Sequence, residues 1–219
     1  MNNKSNNKNS KTGRLIVISA PSGTGKTTLV QALCEADPKL MVSVSHTTRP
    51  KRDGETDGIA YHFTDVDSFR EMINAGQFLE YAKVFDHYYG TSRNAVESQL
   101  SEGRDVILEI NWQGAARICQ LMPESISIFI LPPSYQALET RLTDRGEDDS
   151  TTIQRRLRDA KNELSHYKEY DFLVINDEFE PALAELRDIL ASLRENRQVK
   201  QADLSQFVAG LMAETKDFQ

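Results

Sequence analysis

The segment Ala20-Pro21-Ser22-Gly23-Thr24-Gly25-Lys26-Thr27-Thr28 restricts this chain more than any other. It follows an apolar, β-branched run, Leu15-Ile16-Val17-Ile18, and leads into a helical pattern from Lys26 to Ala36. A buried strand, a glycine-rich turn and a helix, in that order, open a βαβ unit. The turn has the G-x-x-x-x-G-K-[ST] spacing of a phosphate-binding loop, except that Ala20 stands where the pattern begins with glycine. A methyl group there requires negative φ. The residue types suit the chemistry. Gly23 and Gly25 let backbone N–H groups turn toward phosphate oxygens, and the helix N-terminus adds partial positive charge. Lys26 neutralises β- and γ-phosphates, and the Thr27 hydroxyl can ligate Mg²⁺. The whole segment Ala20–Thr28 is therefore a candidate site for ATP with Mg²⁺, and it leaves the acceptor undefined.

The rest of the chain extends the same architecture. Val106-Ile107-Leu108, Ile126–Leu131 and Phe172-Leu173-Val174-Ile175 are further buried-strand runs. Amphipathic helical stretches lie between and after them, at Gln113–Met122, Ser134–Thr143, Thr151–Tyr167 and Glu180–Arg197. Strands alternating with helices predict an α/β fold, a parallel sheet covered by helices on both faces. Two segments break the rhythm. Ser45–Thr91 holds short alternating pieces rich in Tyr and Phe, which reads as an inserted, partly antiparallel subdomain. Ser134–Arg158 is dense in Arg and Asp and reads as a mobile helical lid. Residues 1–12 are rich in Asn, Lys and Ser, and read as a disordered tail before a main unit at 13–194. Between Gln198 and Gln219, Leu204, Phe207, Val208 and Leu211 recur at helical spacing. They predict an amphipathic helix within 195–219, docked on the body or on a second copy of the chain in a homo-oligomer.

The charge balance sets limits on partners. The 219 residues carry a net charge of −7, which argues against a general nucleic-acid or membrane binder. Cys34 and Cys119 are too few for a disulfide framework or a zinc site. No apolar run approaches the length of a membrane span, and no secretory signal opens the chain, so a cytoplasmic location is expected.

The insert bears on the acceptor. Ser43 to Glu55 reads SVSHTTRPKRDGE, followed by Tyr61, then Phe78-Leu79-Glu80-Tyr81 and Tyr88-Tyr89-Gly90-Thr91. Arg49 and Arg52 with downstream tyrosines form a candidate clamp for a phosphomonoester, since Arg forks pair with phosphate oxygens and Tyr hydroxyls donate to them. A solvated basic loop is the competing reading. At this point the sequence resembles guanylate kinase, over roughly Gly13 to Arg194. The residues that carry the resemblance are Ser45–Glu55, Tyr88–Thr91, Trp112-Gln113-Gly114, Leu131-Pro132-Pro133-Ser134 and Asn176-Asp177.

The resemblance implies a P-loop NTPase-type fold with a GMP-binding insert at about 45–91 and a lid at about 134–158. It implies transfer of the γ-phosphoryl of ATP to GMP, and with it dGMP. Arg49, Arg52, Tyr61 and Tyr89 match positions that grip the GMP phosphate, while Ser45, Glu80 and Thr91 match those that read guanine. Arg141, Arg145 and Arg156 match lid arginines that close over the triphosphate, and Asn176 the adenine edge. Two positions depart from the family's Asp-x-Asp. Glu109 keeps a carboxylate near Mg²⁺, and Asn111 offers an amide oxygen to the guanine amine in place of a charge. A peptide-binding relative that has lost catalysis, and a kinase acting on another monophosphate, are the alternatives. The intact loop speaks against the first, and Glu80 with Ser45 against the second.

Overall fold

The computed structural model describes residues 12–84, 86–144 and 150–214. In chain order the elements are β1 (Leu15–Ser19), α1 (Lys26–Ala36), β2 (Leu40–Val42), β3 (His46–Thr47), β4 (His62–Phe63), α2 (Val66–Asn74), β5 (Phe78–Val84), β6 (His87–Ser92) and α3 (Arg93–Ser101). Then follow β7 (Asp105–Glu109), α4 (Trp112–Leu121), β8 (Ile126–Leu131), α5 (Tyr135–Asp144), α6 (Ser150–Ser165), β9 (Phe172–Ile175), α7 (Phe179–Arg194) and α8 (Ser205–Glu214).

Five strands form one sheet in the order β2-β7-β1-β8-β9, with every pairing parallel. The four apolar runs legible in the sequence are β1, β7, β8 and β9. The edge strand β2 adds a fifth. On one face Ile16 and Ile18 of β1 pack with Leu29, Val30 and Leu33 of α1 and with Leu186 and Ile189 of α7. On the other, Leu15 and Val17 pack with Val96 and Leu100 of α3 and with Ala115 and Ile118 of α4. Alternate side chains of a buried strand point to opposite faces, so an unbroken apolar run is what a doubly covered sheet requires.

A second sheet, β4-β3-β6-β5, occupies the segment between β2 and α3. β5 and β6 form an antiparallel pair, β6 pairs antiparallel with β3, and β3 pairs parallel with β4. Leu79 of β5 packs into the cluster shared by α3 and α4, which fixes this sheet to the main body. Phe69 of α2 stacks on Phe78 and Tyr88 and closes its far side.

Among the described residues, the helix read between Gln198 and Gln219 spans Ser205–Glu214 and is preceded by irregular chain. Its Val208 and Leu211 pack with Phe129 and Leu131 of β8 and Leu164 of α6, so it docks on the chain's own body. Most of the expected disordered tail, residues 1–11, lies outside the described residues. No helix among the described residues is long and apolar enough to cross a membrane.

Candidate active site

The phosphate-binding loop forms where β1 ends at the carboxyl edge of the sheet. Gly23 and Gly25 have φ of 88° and 84°, the left-handed region that glycine enters without penalty. Space forbids a side chain at Gly25 as well, because a Cβ would lie 2.7 Å from Asn176 Nδ2. Among the described non-glycine residues only Asn196 has positive φ, so Ala20 keeps the negative φ that its methyl requires. The loop is braced internally. Thr24 donates from its backbone N–H (3.3 Å) and its hydroxyl (2.8 Å) to Pro21 O. Asn176 Nδ2, at the end of β9, donates to Thr24 O at 2.6 Å.

Glu109, the last residue of β7, stands beside the start of α1. Its Oε2 accepts from Thr27 Oγ1 at 2.9 Å and lies 3.5 Å from Lys26 Nζ. Two hard oxygens are thus brought together next to the loop lysine. Among the described residues no group of three or more His, Cys, Asp or Glu forms a metal-ligand cluster.

One cavity of about 660 Å³ joins the loop to the second sheet. Residues 20–28 line one end, and Ser45, Tyr61, Glu80 and Tyr89 line the other, with Glu109, Asn111, Arg141 and Glu163 between or beside them. At the far end Thr91 Oγ1 donates to Glu80 Oε1 at 2.6 Å. Burial pushes the Glu80 carboxyl above its ordinary value, and the Thr91 hydrogen bonds only partly oppose it. Burial likewise pushes the Tyr61 hydroxyl up to about 12. The Tyr61 and Tyr89 rings meet edge to face at 5.8 Å.

Arg49 and Arg52 do not line the cavity; Arg49 reaches it through Tyr61. The Arg49 guanidinium sits 5.4 Å from that ring's centre and pairs with Glu55 at 2.5 Å. Glu55 Oε2 also accepts the Arg52 backbone N–H at 2.8 Å. Against the cost of burial, hydrogen bonds from Arg49 and Arg52 hold the Glu55 carboxyl below the usual range.

Asn111 differs from its expected arrangement. Its Oδ1 caps α4 by accepting Gly114 N–H at 3.0 Å, and its Nδ2 is buried without a hydrogen-bond partner. A Cβ on Gly114 would meet Glu80 Oε2 at 2.9 Å and Asn111 Oδ1 at 3.2 Å, which places the two side chains in one neighbourhood.

Of the lid arginines, Arg141 lines the cavity and donates to the carbonyls of Asn176 (3.0 Å) and Asp177 (3.2 Å). Arg156 Nη1 donates to Ser22 Oγ at 3.2 Å. Arg145 lies outside the described residues. Leu138 and Leu142 of α5 press on Gly23, and with Tyr135 they pack on Leu157 and Ala160 of α6.

The sequence reading missed Glu55 and Glu163. Glu55 was legible only as part of a motif, because its pairing with Arg49 depends on how the loop turns. Glu163 stands seven residues after Arg156, the spacing of one helix face, and that signal went unread amid the charge run.

The sequence model of the guanylate kinase family matches residues 12–193. The guanylate kinase of Chromohalobacter salexigens is 51% identical over 207 residues, which cover 94% of this chain and 96% of the relative. That of Hydrogenovibrio crunogenus is 54% identical over 183 residues, 84% of this chain and 89% of the relative. The crystal structure of guanylate kinase from Anaplasma phagocytophilum superposes with a TM-score of 0.71 at 33% identity, covering 84% of this chain and 87% of that one. With a phosphate loop and a carboxylate-floored pocket in one cavity, and relatives matched over nearly their whole length, the chain belongs to the guanylate kinase family.

Proposed function

We propose a division of labour within the cavity for the reaction of this nucleoside monophosphate kinase, ATP-dependent phosphorylation of GMP to GDP. The observation that carries it is the continuity of the cavity from Lys26 to Glu80. The triphosphate of ATP lies in the loop Ala20–Thr28, against Lys26, with Asn176 at the adenine side. GMP lies against the second sheet. Arg49, Arg52, Tyr61 and Tyr89 take its phosphate. Ser45, Glu80, Thr91 and Asn111 surround its base.

Guanine presents N1–H and an exocyclic amine as donors and O6 as an acceptor. The Glu80 carboxylate accepts from the donors while Thr91 holds it in place, and the Ser45 hydroxyl donates to O6. Adenine would leave the buried carboxylate facing an unprotonated ring nitrogen, at a cost of about 1–3 kcal/mol or more. The Arg49–Glu55 pair holds the guanidinium against Tyr61, which lines the cavity, and an arriving phosphate would share it.

The second ionisation of a phosphate monoester has a pKa of about 6, so the attacking GMP oxygen is already charged near neutral pH. No side chain needs to remove a proton. An oxygen of GMP bonds to the γ-phosphorus as the bond to the β,γ-bridging oxygen breaks, and ADP leaves. Lys26, Arg141, Arg145 and Arg156 spread the charge of the transferring group. The Thr27 hydroxyl and the Glu109 carboxylate suit Mg²⁺, which favours hard oxygens and keeps several waters. Bound there with ATP, the ion would neutralise phosphate charge.

A label-transfer experiment tests this reading. With γ-³²P-ATP, Mg²⁺ and GMP, the label moves into GDP. Label released only as inorganic phosphate, with GMP unchanged, would sink it.

A further inference from the structure

Thr47, the last residue of β3, is fully buried and lies outside the residues that line the cavity. It stands two positions after Ser45 and two before Arg49. Its hydroxyl donates to Tyr88 O at 3.0 Å and accepts the Arg49 backbone N–H at 3.1 Å. Tyr88 precedes Tyr89, and Tyr89 is the register partner of Thr47 in the antiparallel pairing of β3 with β6. One buried hydroxyl therefore connects the backbone that carries Arg49 to the backbone that carries Tyr89, two of the side chains assigned to the acceptor phosphate.

We propose that Thr47 is a positioning residue for the phosphate of the acceptor: its hydroxyl holds the Arg49 backbone against β6, so that the arginine and Tyr89 are set relative to each other before the monophosphate arrives. Strand pairing does not reach this far. β3 ends at Thr47, and Arg49 lies beyond it. The next residue, Pro50, has no N–H and cannot extend the ladder. The Thr47 hydroxyl takes the place of a ladder acceptor for Arg49. Presetting the arginine removes ordering cost from the binding step.

The surrounding bonds separate this role from general support of the sheet. The Thr48 backbone N–H donates to Tyr88 O at 3.0 Å, and Thr48 Oγ1 accepts the Tyr88 N–H at 2.9 Å. Thr47 O accepts the N–H of Thr64, the residue after β4, at 2.9 Å. β3 therefore stays joined to both of its neighbours without the Thr47 hydroxyl. The group that the hydroxyl serves beyond the sheet is the Arg49 N–H. From that backbone the guanidinium reaches the Tyr61 ring and Glu55, and Tyr61 meets Tyr89 edge to face. Arg49, Tyr61 and Tyr89 thus form a chain of side-chain contacts, and Thr47 ties its two ends together through the backbone.

The test compares Thr47→Val, Thr47→Ser and Arg49→Ala with the unaltered chain, and adds the double variant Thr47→Val with Arg49→Ala. kcat and the KM for each nucleotide are measured in steady state. Valine keeps the shape and loses the hydroxyl, while serine keeps the hydroxyl. A cooperative melt confirms folding, and Thr47→Ala serves the same comparison should valine not melt cooperatively. In Thr47→Val the GMP KM rises about 5- to 10-fold, the scale of one buried hydrogen bond. The ATP KM stays within about twofold, since the phosphate loop is remote from β3. In Thr47→Ser most of the loss is recovered. Because Thr47 acts through Arg49, its replacement changes kcat/KM for GMP by no more than about twofold once Arg49 is alanine. An unchanged GMP KM in Thr47→Val, an ATP KM that rises as much as that for GMP, a serine no better than valine, or additive losses in the double variant would each overturn the proposal. The proposal rests on Arg49 taking the GMP phosphate. If Arg49→Ala left kcat/KM for GMP unchanged, that reading would fail and the proposal with it. A loss in Arg49→Ala to which Thr47→Val adds in full would count against Thr47 alone.

Discussion

Thr91 Oγ1 donates to Glu80 Oε1 at 2.6 Å, and both residues are buried at the end of the cavity away from the phosphate loop. A buried carboxylate with one oxygen held by a hydroxyl keeps acceptor capacity for a base with two adjacent donors. Replacing it with an amide removes the charge and turns one acceptor into a donor facing the guanine donors. Glu80→Gln is expected to raise the GMP KM by about 10-fold or more while leaving the ATP KM near its original value, read in steady-state assays with each nucleotide varied.

The same residue gives a pH dependence. Burial raises the Glu80 carboxyl above its ordinary value, so the ionised, guanine-accepting form is lost at higher pH than for an exposed glutamate. As pH falls, kcat/KM for GMP should decline through that raised value, alongside the limb from the substrate phosphate, whose pKa is about 6. In Glu80→Gln only the phosphate limb should remain. Identical acid limbs in the two proteins would contradict the assignment.

The loop glycines give opposite expectations at two neighbouring positions. Gly25 has positive φ and stands 2.7 Å from Asn176 Nδ2 where a Cβ would be. Gly25→Ala is expected to cost at least about 1–2 kcal/mol from backbone strain alone and to abolish ATP binding by displacing Asn176. Ala20→Gly restores the commoner loop pattern yet should bring no gain in ATP affinity, because Ala20 already has negative φ. Its one effect should be a loss of about 0.4–1 kcal/mol through the freer unfolded chain. Thermal melts with and without ATP distinguish the two.

Asn111 stands where the resemblance leads one to expect an aspartate. Its oxygen caps α4 and its amide nitrogen is buried without a partner, in the neighbourhood of Glu80. Asn111→Asp keeps the cap, since both residues serve at that position, and replaces the nitrogen with an acceptor for the guanine amine. It also sets two carboxylates close together, where like charges raise each other's pKa and weaken the fold. The GMP KM should fall by about 2- to 10-fold, from one added hydrogen bond. The melting temperature without GMP should fall too, and GMP should restore more of it than in the unaltered chain. An unchanged GMP KM would remove Asn111 from the base site.

Glu163 sets a stability expectation with a defined sign. Burial raises its carboxyl to about 7, reinforced by Asp159 and opposed by Lys26. Its protonated form is the better fit to the fold. The stability it contributes is complete below the ordinary glutamate value, and it is lost as pH rises through about 7. Glu163→Gln mimics the protonated side chain. It should melt above the unaltered protein at pH 8, and the gap should close toward pH 4.5.

The parts of this molecule that the sequence made legible are those with local causes. The strands β1, β7, β8 and β9 appear as unbroken apolar runs because both faces of the sheet are covered. The loop announces itself because φ above zero requires Gly23 and Gly25. The edge strand β2 holds only Leu40–Val42 and is too short for any periodicity. The base site was legible through the family resemblance, which named Glu80 and Ser45 but not how they are held. What stayed hidden was long-range. Arg156 meets Ser22 across 134 positions, and Asn176 meets Thr24 across 152. Such pairs are set by how helices and strand ends assemble, and the charge run around Arg156 offered no reason to separate Glu163 from its neighbours.

The central claim is that the Glu80 end of the cavity selects guanine for phosphorylation by ATP. Its most direct measurement is kcat/KM for ADP release with Mg²⁺, ATP and, in turn, GMP, IMP and AMP. IMP keeps N1–H and O6 but lacks the exocyclic amine; AMP lacks both donors that Glu80 accepts. The account predicts GMP first, IMP weaker by about 10- to 100-fold, and AMP weaker by about 10³-fold or more, as for a site whose buried polar group is left unpaired by the wrong base. AMP or IMP used within a few-fold of GMP would contradict it.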